Sequence, residues 1–384
     1  MEQGSSQCYP YSYDSNQGDT VHEKQRILFL YHGGTIGMRI EQTGPRTFVN
    51  RVPQDSLDFQ RTTERLLEGF EDQFAVTFRH ITNKDSCNVH PRDWTNLATL
   101  VHAAQEEGYH AVAITHGTDS LQYTATALAL ALHGTNPAAQ ALRIPVVLTG
   151  AQNSIYAKGG DGEFNLVNLF RTIQSALSLG VADVLINFWD LVLLGCRAVK
   201  VNERKFRAFE SPAYPAVGIV NAYGVELNPA LLRRIPSTAE GVIAPHFAAH
   251  GVISVDIEPG FDVDGFRAIL ETGHFRAAIL QSMGDGNIPT EPPSDLLPLI
   301  RHASERLKIP IFLTVKTDGA TASGQHYDVG IGAVEAGAIP CFDHTSSAVA
   351  VKVRWLIANG VCRNIPEFSA AMATNFAGEV TVPA

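Results

Sequence analysis

Cysteine is scarce in this 384-residue chain, at five, and Cys8, Cys87, Cys196, Cys341 and Cys362 fall at no CxxC or Cys/His ligand spacing. An odd, dispersed set indicates neither a disulfide framework nor a structural zinc site and reads better as buried or idle thiols. Positive charge is short as well: 29 Lys and Arg face 39 Asp and Glu, a formal net charge of −10. Such a chain lacks the cationic field that phosphate-backbone binding needs, so nucleic acid is not expected as a partner. Long hydrophobic runs are missing too. The longest, Ala125 to Leu132 and the Asp-interrupted Val181 to Leu194, fall well short of the ~20 residues that cross a bilayer, and no membrane partner is expected. Nor does a basic segment leading into an apolar stretch open the chain. Residues 1–24 are polar and rich in Tyr, Ser and Gln, which reads as a flexible tail rather than an export signal and makes the cytoplasm the expected location.

What remains is ordinary globular material, 45% hydrophobic and 18% charged, with length enough for two or three domains at about 150 residues each. From Arg26 onward, short apolar runs alternate with longer amphipathic stretches. The runs Ile27–Tyr31, Ala111–Thr115, Ile144–Thr149 and Val184–Phe188 are too continuous for strands with one wet face. They suit a mainly parallel sheet covered by helices on both sides. Helices are predicted over Pro91–Glu107, Ser120–His133 and Asn165–Leu179, and Val217–Pro245, with Pro229, Arg233, Arg234 and Pro236, reads as a connecting segment. The pattern restarts near His250 with Val252–Asp256, Ala277–Leu280 and Ile309–Leu313 and closes on a helical stretch, Ser346–Asn359. The expected organisation is a tail over 1–24, a larger α/β domain over 25–220, a linker over 221–246 and a smaller α/β domain over 247–384. No short-period repeat or low-complexity block interrupts it.

Ligands of such sheets bind beyond the carboxyl ends of the strands, so the residues after each run come first. Tyr31-His-Gly-Gly-Thr-Ile-Gly-Met38 follows the first strand. Its two glycines let the backbone approach a ligand and leave amide N–H groups around Thr35, as an oxyanion hole requires, although taken alone the loop reads better as a turn whose glycines only solve φ > 0. No Gly-Lys-Ser/Thr follows, so it is not a phosphate loop, and the third glycine is misplaced for a dinucleotide fingerprint. Thr115-His-Gly-Thr-Asp-Ser120 repeats the arrangement at another strand end. There Ser120 could cap the next helix and Asp119 favour its positive end, but capping does not explain a pair of Gly-Thr loops. Two hydroxyls and a carboxylate converging at one sheet edge suit nucleophilic attack on a carbonyl. Lys200, in Gly195-Cys-Arg-Ala-Val-Lys-Val-Asn202, reads on its own as a solvated surface group.

Together these segments resemble the bacterial-type L-asparaginase family, and more closely its cytoplasmic type I branch. The resemblance runs from about Arg26 to Val382 and includes the Gly33–Gly37 loop, the His116–Asp119 loop with Leu121-Gln-Tyr-Thr-Ala125, the strand Pro145–Gln152, the Asp161–Asn165 turn and Gly284–Pro289. Asp343-His-Thr345, Lys352–Trp355 and Asn375–Glu379 also look like the type I pattern. It implies hydrolysis of L-asparagine to L-aspartate and ammonia. Thr35 would be the nucleophile that forms a β-acyl-enzyme, and Thr118, Asp119 and Lys200 a second group that activates water or nucleophile. Asp119 would also receive the substrate α-ammonium, and Asp85 and Ser86 fall at the substrate-binding Asp-Ser, Ser86 holding the α-carboxylate. No metal or cofactor is called for, because a placed hydroxyl, a proton acceptor and backbone donors suffice. Family sites lie between subunits, so a homodimer or homotetramer is implied. Alternatives are the same scaffold acting on glutamine or another amide, the ammonia-releasing half of an amidotransferase, and a weakly active amino-acid-binding homologue.

Four departures from the family pattern stand out. The segment Arg39–Phe48 after the first loop holds no tyrosine, where the family places one that contacts the nucleophile; Tyr11 or Tyr13 of the tail is a candidate substitute. His32 stands where type I enzymes commonly carry threonine, and Cys87 replaces a polar residue. Val315-Lys-Thr-Asp318 replaces a cysteine-containing stretch that resembles part of an allosteric site.

Overall fold

The computed structural model describes residues 23–44, 47–51, 56–237, 241–317, 319, 321–322 and 328–381. Its first half is built on strands whose side chains are buried on both faces. These are β1 (Gln25–Tyr31), β5 (Ala111–Thr115), β6 (Val146–Thr149) and β7 (Val184–Phe188). Between β1 and β5 come a hairpin, β2 (Arg39–Gly44) and β3 (Thr47–Arg51), then α1 (Leu57–Leu66), β4 (Phe74–His80) and α2 (Pro91–Glu106). Helix α3 (Leu121–His133) joins β5 to β6, and α4 (Gly162–Ser178) joins β6 to β7. The chain then turns back through β8 (Leu191–Leu194), a small antiparallel pair β9 (Val199–Lys200) and β10 (Phe209–Glu210), and a hairpin of β11 (Gly218–Asn221) and β12 (Gly224–Leu227). The large sheet has the order β12-β11-β8-β7-β6-β5-β1-β4. It is parallel from β4 to β7 and antiparallel from β7 to β12.

Helices begin where the sequence supplies donors and acceptors for their ends. Helix α2 starts on Pro91 and carries a capping box in which Asp93 accepts from the His90 N–H at 2.8 Å. Helix α3 stops at Gly134, with φ 84°, where a side chain would be strained. Helix α1 packs on α4, and α2 on α3, each pair lying on the sheet.

The second half has a four-stranded parallel sheet of β13 (Val252–Asp256), β14 (Ala277–Ser282), β15 (Ile311–Val315) and β16 (Ala338–Pro340). Helices α5 (Val263–Glu271), α6 (Leu297–His302) and α7 (Asp328–Glu335) follow the first three strands. The chain ends on α8 (Ser346–Ala358) and α9 (Ile365–Met372). The runs read as strands and helices from sequence form strands and helices here, with ends shifted by at most three residues.

One reading is corrected. Residues 217–245, and with them the proposed linker over 221–246, are not simply a connection, because β11 and β12 complete the large sheet. Each strand is only four residues long and carries a glycine, too short for the inward Val225 and Leu227 and the outward Glu226 to stand out as an alternation. Helix α8 is a further surprise. It packs along α3, and Trp355, fully buried, donates to the Ala244 carbonyl at 2.8 Å and meets the Phe376 ring. No helix among the described residues is long and apolar enough to cross a membrane. Trp355→Ala is expected to destabilise the fold by about 3–5 kcal/mol, from the cavity and the orphaned carbonyl, read as a fall in the denaturant midpoint.

Candidate active site

The parallel register places Tyr31 of β1 level with Thr115 of β5 and His80 of β4, and Thr115 level with Thr149 of β6. Four loops therefore leave one sheet edge side by side. They are packed through glycine. Gly34 has φ 91°, and a Cβ on it would lie 2.5 Å from the Gly117 nitrogen. One on Gly117 would lie 2.5 Å from Ser86 Oγ, and one on Gly150 the same distance from the His116 carbonyl. Only a missing side chain permits such approach. Thr35 and Thr118 each sit one residue beyond the touching pair Gly34 and Gly117.

Thr35 opens a short 3₁₀ turn, Thr35–Gly37, closed by the Met38 N–H donating to the Thr35 carbonyl at 3.0 Å. Buried beneath the turn is the Tyr31 hydroxyl, which a Cβ on Gly37 would strike; it has no hydrogen-bond partner among the described residues, and burial pushes its pKa up. Ser86 is buried in the loop after β4, whose Lys84 is tied to Asp93 of α2 at 2.7 Å. Its Oγ accepts from the Asp119 N–H at 3.2 Å, and its carbonyl accepts from Ser120 Oγ at 2.6 Å. Asp85 next to it is exposed, as is Cys87.

Lys200 arrives from β9, 82 residues after Thr118 in sequence. Its Nζ donates to Thr118 Oγ1 at 2.9 Å and to Asp119 Oδ1 at 2.7 Å. Glu203 Oε2 lies 2.8 Å away on its other side. The side chain is 8% exposed, against 55% for Asp119 and 74% for Glu203. Its backbone N–H is held by Gln122 Oε1 of α3 at 2.5 Å. The lysine read from sequence as a surface group is therefore an internal one, and Thr118, Asp119 and Lys200 meet in one cluster. Sequence reasoning does not single out Glu203 or Gln122; the only signal for Glu203 is its i+3 spacing from Lys200.

Two imidazoles lie behind the loops. His32 and His116 stack with ring centroids 4.9 Å apart. His116 Nδ1 donates to the Gly117 carbonyl at 2.8 Å while its Nε2 faces Thr124 Oγ1 at 3.0 Å, which sets the proton of the neutral ring on Nδ1. Burial lowers His116 to about 4, and burial with the facing imidazole lowers His32 to about 3. Neither ring is an imidazolium at neutral pH.

The segment without tyrosine forms the hairpin β2–β3. It is anchored at Arg39, which pairs with Asp58 and lies 4.4 Å over the Tyr156 ring. Tyr11 and Tyr13 lie outside the described residues, as does Asp318. In the second half, Gly284–Asn287 makes a tight turn closed by reciprocal Met283 and Asn287 hydrogen bonds at 3.0 and 2.7 Å. Among the described residues, no three His, Cys, Asp or Glu side chains group to hold a metal.

Hydroxyls, a carboxylate and a lysine gathered at the end of a doubly covered parallel sheet are groups that hydrolases use, and comparison with known proteins specifies the class and the family. The Asparaginase N-terminal model matches residues 26–233, and the Glutaminase/Asparaginase C-terminal domain model matches residues 252–370. The chain belongs to the asparaginase family and is an amidohydrolase. It is similar to the L-asparaginase of Thermococcus kodakarensis, 31% identical over 93% of this chain and 99% of that one. The solved structure of a thermostable L-asparaginase from that organism superposes with a TM-score of 0.78, covering 93% of this chain and 99% of the other. L-asparaginase 1 of Escherichia coli K12 is 28% identical over 94% of this chain and 99% of its own length. A glutamyl-tRNA(Gln) amidotransferase polypeptide of Pyrococcus abyssi is 27% identical over 92% of this chain and 76% of its own length.

Two outcomes follow from this geometry. Gly34→Ala, strained at positive φ and driven into the Gly117 backbone, is expected to cost about 2–3 kcal/mol in chemical unfolding. The histidine pair makes the fold acid-sensitive with a definite sign. Unfolded histidines titrate near 6.5 but these two only near 3 and 4 in the folded protein, so below about pH 6.5 the unfolded chain binds more protons. Stability is then lost as pH falls, by up to about 1.4 kcal/mol per pH unit for each ring. Urea unfolding between pH 7.5 and 4.5 measures the slope, and His116→Gln is expected to flatten it.

Proposed function

We infer that the protein hydrolyses L-asparagine to L-aspartate and ammonia through an acyl-enzyme on Thr35. The observation that carries this reading is the bonding of the Lys200 ammonium to both Thr118 and Asp119, next to the Gly34–Gly117 contact that brings the Thr35 turn alongside.

In this reading the Thr35 hydroxyl attacks the side-chain carboxamide carbon. The first amide N–H groups of the 3₁₀ turn, which have no partner inside it, stabilise the oxyanion. The C–N bond then breaks, the nitrogen leaves as ammonia with the proton taken from Thr35, and a water molecule attacks the ester to release aspartate and restore the hydroxyl. Thr118 relays the proton. Lys200, with its three hydrogens directed at Thr118, Asp119 and Glu203, acts as the fixed charge that orients the first two. The exposed face of Asp119 suits the α-ammonium of the substrate, with Asp85 beside it, and the Ser86 hydroxyl suits the α-carboxylate. The same reading takes the active form as a homodimer or homotetramer in the cytoplasm, acting without a cofactor.

Ammonia release from L-asparagine and L-glutamine by the purified protein tests the assignment, and asparagine is expected to be the better substrate. Thr35→Ala is expected to lower kcat/KM by at least about 10³-fold and Thr118→Ala by about 10²–10³-fold, with unfolding midpoints unchanged. Full activity in either variant overturns the role given to that threonine. Inertness of the parent protein toward both amino acids favours another amide or a binding role.

A further inference from the structure

Outside the site, the densest buried charge surrounds Arg197, three residues before Lys200. Arg197 is 1% exposed. Its Nε donates to the Gly378 carbonyl at 2.6 Å, Nη1 to the Asp343 carbonyl at 3.3 Å and its Oδ2 at 3.0 Å, and Nη2 to Thr381 Oγ1 at 3.2 Å. All these acceptors come from the last forty or so residues of the chain. The adjoining Cys196 thiol donates to the Ala377 carbonyl at 3.3 Å.

The segment that receives Arg197 is itself locked from behind. Glu379, fully buried, accepts from the Phe376 and Ala377 N–H groups at 3.1 and 2.7 Å and pairs with the fully buried Lys352 at 2.7 Å. Lys352 also donates to the Thr374 carbonyl at 2.7 Å and faces His344 Nε2 at 3.1 Å. Burying such charges is costly, and apolar packing usually holds a turn at least as firmly. What a guanidinium adds is direction, because a planar fork of donors accepts one orientation only. Two residues separate Arg197 from Lys200, a span of about 10 Å at most, so the turn cannot shift without moving the lysine.

We propose that Arg197 is a positioning residue for Lys200: the C-terminal segment 374–381, locked by Lys352 and Glu379, grips the guanidinium and so sets the reach of Nζ to Thr118 and Asp119. The proposal rests on the reading of Lys200 as part of the amide-hydrolysing site. It makes the segment 374–381 part of the active-site scaffold, acting through Arg197 rather than by contact with the cluster.

The test pairs a shape-preserving variant with a background lacking the lysine. Asp343 Oδ1 accepts from the Thr381 N–H at 2.9 Å, so Asp343→Asn keeps that oxygen but turns the Oδ2 that receives Nη1 into an amide NH2 that repels it. Expected is a fall in kcat of tenfold or more with KM within twofold and little change in melting. The effect should disappear when the same substitution is made in Lys200→Met, because residues that act through one group are not additive. Thr381→Val, which removes one acceptor at constant shape, should give a smaller fall of the same kind. It serves as the primary variant if Asp343→Asn does not fold. Crystal structures of the parent protein and the variant add a readout that needs no turnover, the Nζ to Thr118 Oγ1 contact lengthening beyond hydrogen-bond range. An unchanged kcat, an equal fall in both backgrounds, or an unmoved Nζ overturns the proposal. If the parent releases no ammonia, the functional reading fails, while the Nζ position still decides for or against the brace.

Discussion

The contact between Gly34 and Gly117 is the constraint on which the rest of the site depends. Strands β1 and β5 are neighbours in a parallel sheet, about 4.8 Å apart, so the loops that leave them would normally be held apart by side chains. With φ 91° at Gly34 and no Cβ on either residue, the two backbones touch. The same device brings Gly117 against Ser86 and Gly150 against His116. Three glycines thus draw together loops that carry Thr35, Ser86, Thr118 and Asp119, and none of those four needs to be reoriented by a long side chain. The polar residues inherit their positions from the register of the sheet.

Electrostatics then divides the site into two layers. Behind the loops, His32 and His116 are kept neutral by burial, and their stacking costs nothing in charge repulsion. In front, Lys200 is the buried cation and its carboxylate partners are the exposed members, 55% and 74% against 8%. The two neutral rings add no charge of their own to the ion pair beside them, Lys84 and Asp93.

How much of this is legible in the sequence depends on whether a residue's role is local. Strands buried on both faces, such as Ile27–Tyr31 and Ala111–Thr115, announce themselves as unbroken apolar runs because both faces obey the same rule. The paired Gly-Thr loops are legible for a similar reason, since each follows its strand directly. Lys200 is not, because nothing within ten residues distinguishes a buried lysine from a solvated one; only the resemblance of the surrounding segment singles it out. Glu203 and Gln122 are invisible on the same ground, for their partner is set by tertiary placement. The hairpin of β11 and β12 escapes the pattern because each strand has only four residues, one of them glycine, too few for an alternation to register. Helix α8 is legible as a helix, but that it lies along α3 in the first half's core is a matter of packing.

Long charged side chains ordinarily bury the stem and keep the head in water. Lys200 inverts that habit, placing its ammonium where the protein must supply every hydrogen-bond acceptor. An ammonium has three hydrogens and no acceptor capacity, and Thr118, Asp119 and Glu203 supply one oxygen each. The desolvation cost is offset only while all three stay in reach, which a flexible four-carbon stem does not guarantee. Rigidity therefore has to come from the backbone on either side of the lysine: the N–H held by Gln122, and the turn before it held by Arg197. A charge that is expensive to bury becomes useful because the surrounding structure leaves it only one place to be.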